Sequence, residues 1–364
     1  MTRNPPPTAG RVTGIPLPPD QPRQWRRSTT AGSSRLGLQP TGKAVPMRCR
    51  LLVGWVIVLA ALLVAGGGAC ASAPPQRELP AECGGDVPGF AHRDVQVDGA
   101  SIHVVSGGHG PAVVLVHGFP ETWWTWREVM VRLAETHTVI AVDLRGVGCS
   151  SVGSSGYDAD SLAADIHAVM QSLKVARPAL VGHDTGGWVA YAYARRYRED
   201  VSHLVLSGTA IPGFGLEELL DFRQPGSGLA HLPFFMQERV PELLIGGREQ
   251  AYFDSFVTSP AMHTSGVIGV YARSYARPGR LTAALGQYRA LYADARNNRA
   301  NAGALLTMPT LSLSGSDSGE TTLAAGCLRR VAIDVSEVAI PDGGHYVQEE
   351  RPTEMAAALQ RFLG

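Results

Sequence analysis

Net charge is absent: 32 Lys+Arg balance 32 Asp+Glu over 364 residues, which argues against a nucleic-acid partner and against an acidic one. Cysteine is scarce, five in all. No pair stands as C-x-x-C or at another metal-ligand spacing, so no metal site and no cofactor is expected. Serine is missing from the centre of the stretch shaped like a nucleophile elbow. That stretch, "LVGHDTGGWVAYAYARRY" (Leu180 to Tyr197), runs an apolar strand into Gly182-His183-Asp184-Thr185-Gly186 and then into a helix rich in small and aromatic residues. Acyl-transfer enzymes place serine there, as G-x-S-x-G. Asp184 in its place excludes a serine nucleophile and asks for chemistry that wants a carboxylate.

The charge balance is not uniform. The first fifty residues carry Arg3, Arg11, Arg23, Arg26, Arg27, Arg35, Lys43, Arg48 and Arg50 against the single acid Asp20. With their many prolines, glycines and serines, residues 1–46 are expected to be disordered. Met47 also reads as a natural initiator, which would leave 1–46 outside the native product. Residues 47–73 combine two arginines, a long apolar run and a small-residue end, the composition of an export signal. A membrane anchor competes, since Leu51 to Ala69 approaches the ~17–25 residues that span a bilayer. Cys70 resembles a bacterial lipoprotein site, with Gly67 where leucine is usual, and Ala71-Ser72-Ala73 offers ordinary cleavage. Each alternative puts the product outside the cytoplasm, secreted or attached to the outer face of the cytoplasmic membrane. Cys83, Cys149 and Cys327 then remain. One disulfide plus a free thiol is expected, and the sequence does not choose the pair. Nor does it fix the oligomeric state.

From Phe90 onward the pattern is that of one α/β domain. "RDVQVDGASIHVVSGG" reads as a hairpin turning through Asp98-Gly99. "AVVLVHG", "TVIAVDLRG", "PALVGHD", "SHLVLSG" and "PTLSLSGSD" read as buried strands. Helical patterns alternate with them, so a mostly parallel sheet with helices on both faces is expected. The rhythm breaks after Pro212. Residues 213–303 are too long for a loop and read as a helical lid inserted after the sixth strand, leaving 74–212 and 304–364 as the core.

A residue at a helix start lies at the positive end of the dipole, near unpaired N–H groups. Asp184 should therefore stay ionised and point up from the sheet edge; a plain helix cap is the competing role. "VHGFPETWWTW" follows the third strand, where the Phe119 N–H can pair with that of Thr185 as an oxyanion hole. The alternative there is a simple turn through Phe119-Pro120, with or without a cis bond. "IPDGGHYVQEERP" sets His345 on a glycine turn after the last strand, the place of a general base. Asp317, ending "LSLSGSD", completes the order nucleophile, acid, histidine. Asp143 and Arg145, in "DLRGVGCS", are assigned to loop structure.

Taken together and in order, H-G-F-P, D-L-R-G, G-H-D-x-G-G and G-G-H make the chain from about Phe90 to its end resemble an α/β-hydrolase of the epoxide hydrolase and haloalkane dehalogenase group. Gly315-Ser316-Asp317 is one residue tighter than the group's usual G-x-x-D. After strand six, where some relatives carry the acid, "SGTAIP" offers no carboxylate. Asp317 is the choice and Glu320 the reserve. The resemblance implies that Asp184 attacks a saturated carbon and forms an alkyl ester. Water activated by His345, itself oriented by Asp317, then attacks the ester carbonyl, with Phe119 and Thr185 on the oxyanion. The lid would choose the leaving group. The H-x-x-F-F and Y-A-R-S-Y…Y-R-A-L stretches are similar to those of an epoxide hydrolase subgroup with a histidine–tyrosine donor pair, which implies His231 and Tyr288. Tyr271, Tyr275 and Tyr292 are left to packing, and Trp123, Trp124 and Trp188 are candidates for the pocket wall. Fluoroacetate-type dehalogenases carry arginines after the nucleophile; Thr185 and Trp188 stand there instead. The expected substrate is a small apolar epoxide. The alternatives are a haloalkane or haloacid on the same triad, or a non-catalytic exported binding protein of this fold.

Overall fold

The apolar runs bounded by glycine become strands of one sheet in the computed structural model, which describes residues 81–220, 230–319 and 321–364. The readings made for 1–46 and 47–73, and the reserve acid Glu320, lie outside the described residues. Strands β1 (Phe90–Val97) and β2 (Ala100–Gly108) form the hairpin, turning at Gly99 with φ 69°. They are followed by β3 (Ala112–Val116), β4 (Thr138–Val142), β5 (Ala179–His183), β6 (Leu204–Ser207), β7 (Thr310–Gly315) and β8 (Val335–Ile340). Across the sheet the order is β1-β2-β4-β3-β5-β6-β7-β8. The hairpin pairs antiparallel within itself and with β4, and every pairing from β4 to β8 is parallel. Chain direction across the sheet reverses between β3 and β5, so the loops leaving these two neighbours diverge and open a crevice at their carboxyl ends.

Helices α1 (Arg127–Leu133), α2 (Ala159–Leu173) and α3 (Thr185–Arg196) lie between the earlier strands. Between β6 and β7 come α4 (His231–Phe235), α5 (Val240–Ile245), α6 (Glu249–Phe256), α7 (Pro260–Ser265), α8 (Val267–Tyr275), α9 (Arg280–Arg289) and α10 (Leu291–Ala300). The last are α11 (Thr321–Arg329), α12 (Val347–Glu350) and α13 (Pro352–Leu363). The strand period of two divides the core. Val114 and Val116 of β3 join the cluster under α2 and α3, whereas Val113 and Leu115 join that under α1 and α13. With both faces covered, the central strands read as unbroken apolar runs.

The segment between β6 and β7 is tied to the core by polar bonds. Tyr275 donates to the Glu121 carbonyl at 3.1 Å, Arg280 to the Ser150 carbonyl at 2.5 Å, and Asn298 to the Pro212 carbonyl at 3.0 Å. A disulfide joins Cys83 to Cys149 with Cα atoms 5.4 Å apart, and Cys327 is a buried free thiol. Among the described residues no helix is long and apolar enough to cross a membrane.

Candidate active site

The elbow forms because two glycines allow close approach. A Cβ on Gly182 would lie 2.4 Å from the Gly186 carbonyl oxygen, and one on Gly118 would lie 2.5 Å from the Asp184 Cβ. Strand β5 therefore turns sharply into α3, and Asp184 takes φ 50°, ψ −122° at the turn. Such a conformation costs a non-glycine residue ~1–3 kcal/mol, which the packed surroundings must hold. The strain lifts the carboxylate out of the sheet edge. The loop after β3, with a cis Phe119–Pro120 bond, brings the Phe119 N–H to Asp184 Oδ1 at 2.9 Å. Thr185, first residue of α3, is buried beside it. Of these two N–H groups only Phe119 bonds the carboxylate.

His345 leaves the loop after β8 and sets Nε2 3.8 Å from Asp184 Oδ2. One carboxylate oxygen is thus held by backbone and the other faces an imidazole. Asp317 is not joined to this pair. β7 ends pressed on the His345 loop: a Cβ on Gly315 would lie 2.1 Å from the Gly343 carbonyl oxygen, and Asp317 N–H donates to that oxygen at 2.8 Å. The turn leaves the Asp317 side chain exposed, accepting from Ser316 Oγ at 2.8 Å.

The segment between β6 and β7 supplies the wall above Asp184. His231 opens α4 and Tyr288 lies in α9, 57 positions further along, yet their rings are 6.2 Å apart. Tyr288 is fully buried against Phe119 at 5.6 Å, Trp188 at 5.7 Å and Phe235 at 5.0 Å. Burial first, and then the Asp184 carboxylate, push its hydroxyl well above the ordinary tyrosine range. A phenol so placed keeps its proton. Phe253, Phe256 and Tyr275 complete an edge-on aromatic ring around Phe119. Tyr271 and Tyr275 are buried with their hydroxyls engaged, on Glu349 and on the Glu121 carbonyl, and Tyr292 is exposed.

Two of the three tryptophans expected in the pocket wall lie elsewhere. Trp123 is wholly buried in the cluster under α1 and α13 and donates its indole N–H to the Cys83 carbonyl at 2.7 Å. Trp124 packs on the backbone of Gly84 and Gly85 and under the Arg127 guanidinium. Both indoles pin the chain around Cys83, a contact across some forty residues that the sequence does not advertise. Trp188 does reach the site, with its N–H spent on the Ala210 carbonyl at 3.1 Å. Asp143 and Arg145 serve loops, Asp143 accepting from the Trp123 and Cys149 N–H groups and Arg145 pairing with Asp165.

Sequence reasoning missed a buried polar cluster beneath the site. Glu121, fully buried, takes His183 Nδ1 at 2.8 Å, while His183 Nε2 bonds the His345 carbonyl at 2.9 Å. Thr125 and the Gln348 amide also donate to Glu121. Burial opposes the Glu121 charge, but His183 and the surrounding donors outweigh it and draw the carboxyl down to about 2. The signal was present: charged and polar residues inside "HGFPE", "GHD" and "HYVQEE", flanked by strongly apolar strands. Among the described residues no group of three His, Cys, Asp or Glu could hold a metal ion.

The arrangement offers a held carboxylate and an imidazole beneath a buried tyrosine and a histidine ring in apolar, aromatic surroundings. Comparison with known proteins places the chain in a family. Residues 111–352 match the family described as alpha/beta hydrolase fold. A soluble epoxide hydrolase from Corynebacterium sp. (strain C12) is 31% identical over 284 residues, which cover 75% of this chain and 97% of the relative. A fluoroacetate dehalogenase from Burkholderia sp. is 29% identical over 297 residues, 76% of this chain and 94% of that one. Among solved structures, Cfl2 from Burkholderia cenocepacia superposes with TM-score 0.74 at 36% identity, covering 80% of this chain and 100% of its own. The chain belongs to the alpha/beta hydrolase fold family and is a hydrolase.

Proposed function

We propose that the protein opens epoxides to vicinal diols through a covalent ester on Asp184. The observation that carries this is the pairing of His231 with Tyr288 over a carboxylate whose other side is held by Phe119. Asp184 Oδ2 attacks one epoxide carbon while Tyr288 and His231 hydrogen-bond the ring oxygen, which gains negative charge only as the C–O bond breaks. Donors aimed at that oxygen act chiefly in the transition state. The ester then keeps its carbonyl oxygen, formerly Oδ1, on the Phe119 N–H. His345 takes a proton from water as its oxygen attacks the Asp184 carbonyl carbon. Collapse breaks the ester C–O bond, and the departing alkoxide takes the remaining hydroxyl proton to leave the carboxylate. The proton on His345 ends on the alkoxide formed at ring opening. Thr185 N–H joins Phe119 once the oxyanion forms. For the acid that orients His345 we assign Glu320 over Asp317, because Asp317 is exposed and bonded to Ser316.

Halide release is less well supported. A departing halide wants free N–H donors, and the three indoles expected near the pocket are committed or distant. Thr185 and Trp188 stand after Asp184 where an arginine would grip a haloacid carboxylate. The export reading also remains a proposal, favoured by the Cys83–Cys149 disulfide, since such bonds persist in oxidising compartments. The deciding experiment is a single turnover in heavy-oxygen water on a panel of styrene, alkyl and fatty-acid epoxides beside haloalkanes. Heavy oxygen is expected in the Asp184 side chain. Label found only in the diol would sink the ester mechanism, and preferred turnover of haloalkanes would sink the epoxide assignment.

A further inference from the structure

We propose that Arg289 is a positioning residue for ring opening: its guanidinium fastens the end of α4 to α9 and so sets His231 at its distance from Tyr288. The proposal rests on the reading of those two side chains as the donors to the epoxide oxygen.

The two donors come from different helices, so one helix has to be fixed on the other. α4 spans only His231–Phe235. A helix so short is marginal on its own, and Ala230 before it has no side chain able to cap its first turn. Its place must come from contacts. α9 runs from Arg280 to Arg289 and presents two faces. Leu281, Ala284, Leu285 and Tyr288, spaced three and four apart, are buried. Thr282 and Arg289 are two turns apart and share another face, which meets the segment after α4.

Arg289 Nη2 carries two hydrogens and meets two acceptors. One is the Gln237 carbonyl at 2.9 Å, just past the end of α4; the other is Glu242 Oε2 at 2.8 Å, in α5. Thr282 bonds the same carboxylate. Burial opposes the Glu242 charge, but Arg289, the backbone and Thr282 together outweigh it and hold the carboxyl below its ordinary range. The two side chains are 22% and 24% exposed, which separates them from the fully solvated pairs that contribute little.

An apolar contact supplements the polar one. Phe235 packs edge-on against Tyr288 at 5.0 Å, and His231 lies against Phe235 at 5.4 Å. Consecutive residues of α9, Tyr288 and Arg289, thus hold α4 by a ring and by the carbonyl beyond its end. The two contacts differ in tolerance. Aromatic pairs are satisfied over centroid distances of about 4.5–7 Å, a hydrogen bond only over about 2.7–3.2 Å. The register of α4 along α9 is therefore set at Arg289. His231 stands roughly 7–9 Å from that anchor at the helical rise, and the short helix carries any slip at the carbonyl to the ring. A misplacement of about 1 Å at a reacting group can cost roughly a hundredfold in rate. The step that needs His231 should feel the loss of Arg289, and the step that needs His345 should not.

The test uses the full-length protein, with styrene oxide as the epoxide. In single turnover, Arg289→Ala should slow formation of the Asp184 ester roughly tenfold to a hundredfold, with its breakdown changed by less than about threefold. Added to His231→Ala, it should cost less than about a further threefold, since both remove the same donor from its place. Without substrate, hydrogen exchange should quicken about tenfold at the Met236 and Gln237 amides, which close α4 on the Leu232 and Phe234 carbonyls. The α9 amides should keep their protection. Arg289→Lys should lose less than Arg289→Ala in both readouts. Glu242→Gln keeps the acceptor oxygen without its charge; it should shift both readouts the same way by less, and it serves if Arg289→Ala does not fold. Unchanged exchange at Met236 and Gln237 in these variants overturns the proposal. So does an equal fall in ester formation and breakdown, and so does a double variant whose loss is the product of the single losses. Absence of any Asp184 ester in the unaltered protein overturns instead the reading beneath it. The two failures are distinct, because exchange needs no substrate.

Discussion

The Asp184 carboxylate has two unlike oxygens, and residue-scale predictions follow from that asymmetry. Asp184→Asn should abolish ester formation, measured as loss of both burst and turnover, since an amide is a poor nucleophile. His345→Gln should leave alkylation intact and let the ester accumulate as a mass increase equal to the epoxide. No adduct after extended incubation would remove His345 from the hydrolytic step. Tyr288→Phe and His231→Ala should each slow alkylation by roughly a hundredfold to a thousandfold, the usual loss for a donor to a developing oxyanion. Ester breakdown should change little, because its oxyanion sits on Phe119. If both variants stay within a few-fold of the unaltered rate, other groups hold the epoxide oxygen. Asp317→Asn should be nearly silent and Glu320→Gln severe in ester breakdown; the reverse result would return Asp317 to the triad. The elbow at Asp184, the loop that brings His345 to it and the approach of His231 to Tyr288 were legible in short motifs, because each is fixed by local geometry or by a named stretch. Trp123, Trp124 and the Glu121–His183 pair were not. Their partners lie about 40 to 160 residues away, and no local pattern encodes such a distance.

Among the elements, seven of the eight strands and their alternation with helices were readable from alternation, apolar runs and glycine punctuation, whereas β8, half-exposed, was implied only by the turn that follows it. The segment between β6 and β7 was legible as an interruption, but the bonds that fasten it were not. Its last helix, α10, presses Asp294 against the start of α2, accepting the Ala159 N–H at 3.1 Å. Burial comes first, and with Asp158 and Asp160 nearby it lifts the Asp294 carboxyl to about 7, against the pull of the Ala159 bond and of Arg195. The sign follows from linkage. The folded state holds this proton where the unfolded chain has lost it, so stability falls as pH rises from the ordinary carboxylate range through about 7. Asp294→Asn should flatten that slope and raise stability at pH 8 by up to a few kcal/mol. Denaturant titrations at several pH values would show it. An unchanged slope would mean that Asp294 is ionised in place, paired with Arg195.

At the scale of the whole molecule, the Cys83–Cys149 bond closes a loop of 66 residues that contains the hairpin, β3 and β4. Loop-closure entropy puts its contribution at about 4 kcal/mol, less any native strain. A Cys83→Ser/Cys149→Ser double variant should lower the thermal midpoint by several degrees, and reduction of the unaltered protein should do the same. Equal midpoints before and after reduction would show that the bond constrains nothing. The insertion carries a different consequence. β6 and β7 are neighbours in the sheet, so the chain departs and re-enters through adjacent doorways, and everything between is a cassette. In the proposed mechanism the cassette holds His231 and Tyr288, which receive the leaving oxygen, while the frame holds Asp184 and His345. Inheritance can therefore exchange substrate preference by replacing one contiguous stretch of gene, with the hydrolytic machinery passed on untouched.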